Sequence, residues 1–334
     1  MVLRFAVVSY AHMHAWSYTR AIKELEAEGK ATLEAIFDNN TDRLRRAQEV
    51  FKPRRVYNDF NRLMADGGFD AAVVASENAR HITYALPLIK AGVHVIVEKP
   101  ITTTVRDAVE MVNEADRHGV KLQVAFVMRY HDAVVEAKNR IGEFGRIKAI
   151  TATNHGTCPY DWFVDPELAG GGAMMDHIVH VADLIRWFTG KEFEEVSAFV
   201  GRNIRPELKV EDNGLILAKL TDGTPVSIDS SWSRHETWPI WGDVYMRMLA
   251  DRGVLTINAF NQNISLADDK GFHWVSFGPD ADRNMIEDFI RVVNEGGQPR
   301  ASGLDGLRAL EVVVAAYKSW REGRPVKISE VRVQ

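Results

Sequence analysis

Apolar residues in the first 130 positions fall into short, nearly unbroken runs. The runs are Leu3–Val8, Thr32–Phe37, Asp70–Ala75, Val93–Val97 and Leu122–Val127. Runs rich in Val, Ile and Ala, without polar alternation, are strands covered on both faces. Between them the apolar residues adopt helical spacing, over Ala15–Gly29, Thr41–Phe51, Arg80–Ala91 and from a cap at Thr104 to His118. Asn40 or Thr41 caps the second helix, and Gly92 and Gly119 stop the last two. Strict alternation of strand and helix predicts a doubly wound parallel sheet, so the chain is of the α/β class.

The pattern changes after helix 133–142 and Gly145. Strand-like runs follow at 147–154, 196–203, 213–220, 224–231, 244–249 and 254–258, with turns such as Thr221-Asp222-Gly223 between neighbours. That order predicts an antiparallel sheet in a second, α+β domain. The division is 1–128 and 129–334, and the final helices are candidates for packing back on the first domain. A long insertion between the first two of these strands carries Gly170-Gly171-Gly172 and a helix ending at Gly190.

Composition narrows the classes. A net charge of −5 gives no reason to expect nucleic acid or an anionic membrane as partner. Cys158 is the single cysteine, which excludes an internal disulfide and a multi-cysteine metal site and fits a reducing cytoplasm. No apolar run is long enough to span a bilayer.

Three stretches carry chemistry. The strand Val93–Val97 ends in Glu98-Lys99-Pro100, which fixes a lysine at the carboxyl end of a strand, where open α/β sheets bind ligands. The turn after the first strand leads into a helix, and the second strand ends in an acid, Asp38; this is the order of a dinucleotide-binding unit. Its G-x-G-x-x-G positions fall on Ser9, Ala11 and His14, yet the helix N-terminus still offers N–H groups to a phosphate. Asp38 suits a ribose diol and repels a 2'-phosphate, which favours NAD over NADP. His12 and His14 are the pair that would begin a metal site, with hydrogen bonds to cofactor phosphate or a helix cap as the alternatives; no metal is assigned. The third stretch places Asp176, His180 and Asp183 at i, i+4 and i+7, one helical face on which a carboxylate can tune an imidazole for proton transfer.

These motifs together resemble the glucose-fructose oxidoreductase / inositol 2-dehydrogenase / MocA family. The likeness rests on Val97-Glu98-Lys99-Pro100, the triple glycine with Asp176 and His180, Met128-Arg129-Tyr130, Asp288-Phe289-Ile290, Ser302-Gly303, Ala315-Ala316-Tyr317 and Gly323–Val326. The resemblance implies a Rossmann domain, an open, mostly antiparallel sheet in the second domain, and an NAD-dependent dehydrogenase of a sugar, cyclitol or related polyol. It implies that Lys99 polarises the reacting hydroxyl or carbonyl, that His180 exchanges its proton, and that Asp176 supports His180 or binds a neighbouring hydroxyl. Cofactor contacts are expected from Ser9, Ala11, His12, Met13, Asp38, Asn39, Arg43, Ser76, Asn78, His81, Glu98 and Lys99. Glu98 is expected beside the nicotinamide ribose and Arg43 near adenine. Substrate contacts are expected from Arg129, Tyr130, Trp162, His177 and His235, with His155, Tyr160, Asp161 and the loop Trp232–Trp238 as further candidates. A homodimer or homotetramer through the second sheet is implied too. Two other classes stand beside this one: a metal-dependent lyase, epimerase or hydrolase using His12 and His14, and a cofactor-free ligand sensor.

Overall fold

A computed structural model describes residues 1–261 and 263–332. Along the chain come β1 (Leu3–Val8), α1 (His14–Ala27), β2 (Ala31–Phe37), α2 (Thr41–Phe51), β3 (Arg55–Tyr57), α3 (Phe60–Asp66), β4 (Ala71–Val74), α4 (His81–Lys90), β5 (His94–Val97), α5 (Val105–His118) and β6 (Leu122–Val124). Then follow α6 (Asp132–Arg140), β7 (Ile147–Gly156), α7 (Pro166–Ala169), α8 (Ala173–Thr189), β8 (Phe193–Gly201), β9 (Asn213–Leu220), β10 (Pro225–Ser231), β11 (Gly242–Ala250), β12 (Gly253–Asn258), β13 (Asn263–Asp268) and β14 (Gly271–Ser276). The chain closes with α9 (Ala281–Glu295), α10 (Gly303–Glu322) and β15 (Val326–Lys327). Two compact units result: Met1–Val127 with Asp280–Leu307, and Met128–Pro279 with Arg308–Gln334.

In the first unit six strands lie in the order β3-β2-β1-β4-β5-β6, all parallel. Successive connections wind one way to β3 and the other way from β4. The crevice beyond the carboxyl ends of β1 and β4 is therefore the switch point where such sheets take ligands. The strands are apolar because helices cover both faces: β1, β4 and β5 are buried almost throughout. Capping is local and legible. Asn40 accepts from Asp42 N and Arg43 N at 3.0 Å each, and Thr104 accepts from Asp107 N at 3.1 Å. Helix α9 joins this unit by pairing Arg283 with Glu28 at 2.7 Å and Asp280 with Arg20 at 3.2 Å.

The second unit holds a seven-stranded sheet in the order β12-β11-β7-β10-β9-β8-β15. It is mostly antiparallel; β10 runs parallel to β7. Helix α8 lies against the face that carries Ile150, Ala152, Ile216 and Ile228, and it is buried from Ala173 to Ile185. Even its polar face, with Asp176, His180 and Asp183, is buried, so those groups find their partners within the protein.

Several elements differ from the sequence reading. The short edge strand β3 and the hairpin β13–β14 were not expected. Three residues of β3 carry no period, and the hairpin leaves Ile264, Phe272 and Val275 exposed, so it lacks the polar-out, apolar-in signal of a half-buried strand. β6 stops at Val124, and residues 127–130 form a 3-10 turn where a longer strand was expected. Among the described residues, no helix is long and apolar enough to cross a membrane.

Candidate active site

In the first unit the residues of the dinucleotide reading gather at one edge. The Ser9–His14 turn follows β1, Asp38 follows β2, Ser76–Asn78 follows β4, and Glu98-Lys99 follows β5. Ser9 stands at φ +73°, the left-handed conformation that glycine supplies in the usual fingerprint. Its hydroxyl accepts from Ala11 N at 3.2 Å, so the serine reproduces the tight turn and braces it. Asp38 is fully buried. It accepts from Tyr10 N at 2.6 Å and Asn40 N at 2.7 Å, and Arg43 grips it with Nε and Nη2 at 3.0 Å each. The acid is thus fixed at the end of β2, and Arg43 lies across it. Helix α1 begins at His14 with no side-chain cap at Met13. A glycine-like turn, a helix N-terminus and an acid after β2 are the parts a dinucleotide needs, and they fit it.

Two residues expected at the cofactor are engaged by other groups of this unit. His81 is fully buried; its Nδ1 lies 2.9 Å from Pro100 O and its Nε2 3.2 Å from Ser76 O. It ties the loop after β4 to the Lys99-Pro100 corner, and burial pulls its pKa below the ordinary histidine value. The Glu98 carboxylate is met by three side chains of this unit. It is fully buried, with Tyr18 Oη donating at 2.6 Å to one oxygen, and His14 Nδ1 at 3.0 Å and His12 Nε2 at 3.4 Å from the other. Burial opposes its ionisation, yet the two histidines and Lys99 hold the carboxyl well below the usual carboxylate range. Tyr18 was not found from sequence, although it stands four residues from His14 on the same helical face.

One ring nitrogen each of His12 and His14 and a Glu98 oxygen lie within 4.8 Å of one another, the geometry that could gather a metal. The tautomer argues otherwise. His12 Nδ1 accepts from His14 N at 3.1 Å, so the ring proton of neutral His12 is on Nε2. A metal-bound imidazole needs that proton on the other nitrogen.

In the second unit α8 carries Asp176 and His180, both buried. Asp176 accepts from Trp232 Nε1 at 3.0 Å, and His177 Nε2 lies 3.1 Å from the same oxygen. Trp232 is therefore an orienting group for Asp176 and is fully buried. Four further substrate candidates have packing or pairing roles. His177 is fully buried, with Nδ1 2.9 Å from Asn154 O. Trp162 stacks on Phe163 at 3.9 Å in a buried cluster with Cys158 and Leu208. Arg129 grips Asp183 at 2.7 and 2.6 Å in a buried pair, which takes Asp183 away from the proton-transfer face. His155 bridges Asp229 and Asp243 at 3.3 Å each, and these two acids push its pKa up to about 9. Tyr130 is buried, whereas His235 is exposed in its loop and hydrogen-bonded to Thr237 at 2.9 Å.

The triple glycine has a separate reason at each position. Gly170 has φ +78° and closes α7. A Cβ on Gly171 would stand 2.0 Å from Tyr317 Oη, and one on Gly172 would stand 2.0 Å from Glu211 O. This closeness anchors α8: the Glu211 carboxylate accepts from Gly172 N at 2.8 Å, Met174 N at 3.1 Å and Tyr317 Oη at 2.6 Å. A carboxylate there also faces the positive end of the helix. Glu211 and Tyr317 lie far from the motif in sequence, so nothing local reveals them.

A parallel sheet with a phosphate-type turn at its switch point defines a dinucleotide-binding Rossmann protein. Residues 3–126 match the oxidoreductase family with an NAD-binding Rossmann fold, and residues 134–256 match the GFO/IDH/MocA C-terminal domain. The chain belongs to the Gfo/Idh/MocA family of oxidoreductases. It is 29% identical over 315 residues to a myo-inositol 2-dehydrogenase of Thermotoga maritima, covering 90% of this chain and 92% of that protein. It is 25% identical over 344 residues to a D-apiose dehydrogenase of Paraburkholderia graminis, covering 97% and 88%. A crystal structure of a probable dehydrogenase from Thermotoga maritima superposes with a TM-score of 0.85 at 26% identity, covering 98% of this chain and all of that one.

Gly172→Ala tests the anchor of α8. The added methyl meets backbone rather than a movable side chain, so the variant should lose about 2–3 kcal/mol of stability by chemical denaturation. Stability equal to wild type would mean that the segment around Glu211, just before β9, does not hold the helix this closely.

Proposed function

We propose that the chain is an NAD-dependent dehydrogenase of a sugar, cyclitol or related polyol. The observation that carries this reading is Lys99, buried at the carboxyl end of β5 in a chain whose full-length relatives include dehydrogenases of myo-inositol and D-apiose. When bound, the nicotinamide ring supplies the hydride acceptor or donor. The chain's own groups handle the proton and the charge. The Lys99 ammonium hydrogen-bonds the reacting hydroxyl and polarises the carbonyl oxygen it becomes. His180 takes the hydroxyl proton in oxidation and returns it in reduction. Asp176, aimed by Trp232, supports the histidine or holds a neighbouring hydroxyl. Ser9, Ala11, His12 and Met13, Asp38 and Asn39, and Ser76 and Asn78 hold the dinucleotide. The Asp38 carboxylate accepts the adenosine ribose diol, and Arg43 exchanges part of its grip on Asp38 for the face of adenine. Repulsion between Asp38 and a 2'-phosphate favours NAD over NADP.

The second unit pairs with another copy of itself to give a homodimer or homotetramer. Phe199, Leu215, Leu217, Leu249 and Val254 are exposed on its strands, an apolar surface of the kind that marks an interface. The cell compartment that fits the lone, buried Cys158 is the cytoplasm.

Nucleotide-free protein titrated by nicotinamide fluorescence should bind NADH at least about tenfold more tightly than NADPH, and Asp38→Ala should shrink that ratio. Saturable binding of neither, or tighter binding of NADPH, would remove the NAD reading. Against a panel of cyclitols and aldoses, Lys99→Met and His180→Asn should each lower kcat by about a hundredfold or more. Turnover within a few-fold of wild type would take the proton-handling role from that residue. Light scattering at micromolar concentration should report a dimer or tetramer that Leu217→Asp breaks into monomers; a wild-type monomer would end the oligomer proposal.

A further inference from the structure

The third fingerprint position, usually a side-chain-free glycine, holds a histidine in direct contact with a buried acid. We propose that His14, held as an imidazolium by Glu98, supplies the dinucleotide's pyrophosphate with a cation at the position of the third fingerprint glycine, so that its deprotonation weakens binding. This rests on the NAD reading above and assigns His14 a role within it.

The argument starts from Glu98. A fully buried carboxylate needs compensation from paired charge or hydrogen bonds. Tyr18 supplies a neutral hydrogen bond at 2.6 Å to one oxygen. The other oxygen faces both histidines. His12 is a poor choice for the positive charge, because its Nδ1 accepts from His14 N at 3.1 Å and a second ring proton would break that bond. His14 has no such constraint at Nδ1, which lies 3.0 Å from Glu98. An imidazolium there gives Nδ1–H to Glu98 and keeps a second N–H, at Nε2, to donate. Its side chain is 38% exposed while Glu98 is fully buried, so the ring spans from the buried acid to solvent. His14 is also the first residue of α1, and the helix N-terminus attracts the same anion.

Groups facing His14 come from every neighbouring element of this unit. Glu98 and Lys99 stand at the end of β5, His12 in the turn, Tyr18 one helical turn on, and Asp282 in α9. Burial opposes the charged ring, Glu98 and Asp282 outweigh burial, and Lys99 opposes them; the net shift is upward from 6.5. The cation is therefore held to higher pH than in an unperturbed histidine and is lost as pH rises through the raised value. Dinucleotide affinity should fall in the same direction.

The test is the NADH dissociation constant from pH 6 to 10, by fluorescence at low salt, with ADP-ribose competition at each pH. Wild type should weaken by about tenfold as His14 deprotonates, the size expected for one charge-assisted hydrogen bond. His14→Gln should bind weakly at low pH and lose this dependence. His14→Arg, permanently charged, should hold its affinity at high pH. Glu98→Gln should move the transition to lower pH. Thermal unfolding shows which variants are folded; should His14→Gln not fold, His14→Arg and Glu98→Gln decide. A wild-type affinity independent of pH, or His14→Gln binding like wild type, overturns the proposal while leaving NADH binding intact. No NADH binding at any pH instead removes the NAD reading. Stoichiometric metal in wild type that His14→Gln lacks also overturns it, in favour of coordination.

Discussion

Glu98 takes a full negative charge out of water at the end of a strand, and the surrounding turn is built to compensate it. The carboxylate sits where β5 stops, so its position is set by the most buried part of the parallel sheet. Three side chains from one short stretch, His12, His14 and Tyr18, converge on it. The turn that would ordinarily be shaped by glycines is shaped here by hydrogen bonds and by the contacts of both histidines with Glu98. Lys99 follows directly, its place in the chain fixed by the same strand. Removing Glu98 would therefore disturb the first turn of α1 as well as the corner carrying the lysine.

The second unit solves a similar problem at α8. The helix carrying Asp176 and His180 is enclosed by other elements, so its first N–H groups cannot turn to water. Glu211 meets Gly172 N and Met174 N, while Tyr317 holds Glu211. Two of the three glycines are small because those partners come so close. Trp232 then sets the aspartate by its indole N–H. Each device fixes a polar group by hydrogen bonds from distant parts of the chain.

The parts legible in the sequence were those governed by local rules. Unbroken Val/Ile/Ala runs gave β1, β2, β4 and β5, and Asn40, Thr104 and Gly119 marked helix ends because capping acts over a few residues. The family likeness was legible too, since Glu98-Lys99-Pro100 and the Asp176/His180 spacing are contiguous motifs. The illegible parts depend on partners far away in the chain. Arg129 looked like an open cationic group until Asp183, 54 residues on, was seen to hold it. Trp162, His177 and His81 are residue types that serve binding and packing equally well, and only their partners in the fold show what they touch. Trp232 was placed among substrate candidates for its aromatic surface, whereas its indole nitrogen is what the structure uses.

The substituted fingerprint shows how a motif can be lost in letters and kept in physics. Glycine at the first position serves a backbone conformation, and Ser9 adopts it at φ +73° while its hydroxyl accepts from Ala11 N. Ala11, at the second, is still small enough for close approach. The third cannot be explained as tolerated bulk, because His14 is aimed at a buried acid rather than merely accommodated. Strain at Ser9, of order a kcal/mol, is offset locally by that hydrogen bond. A charge at His14 is favoured by Glu98 in direct contact and by Asp282 of α9, so the histidine belongs to a cluster that neither a glycine search nor a lone-residue reading detects.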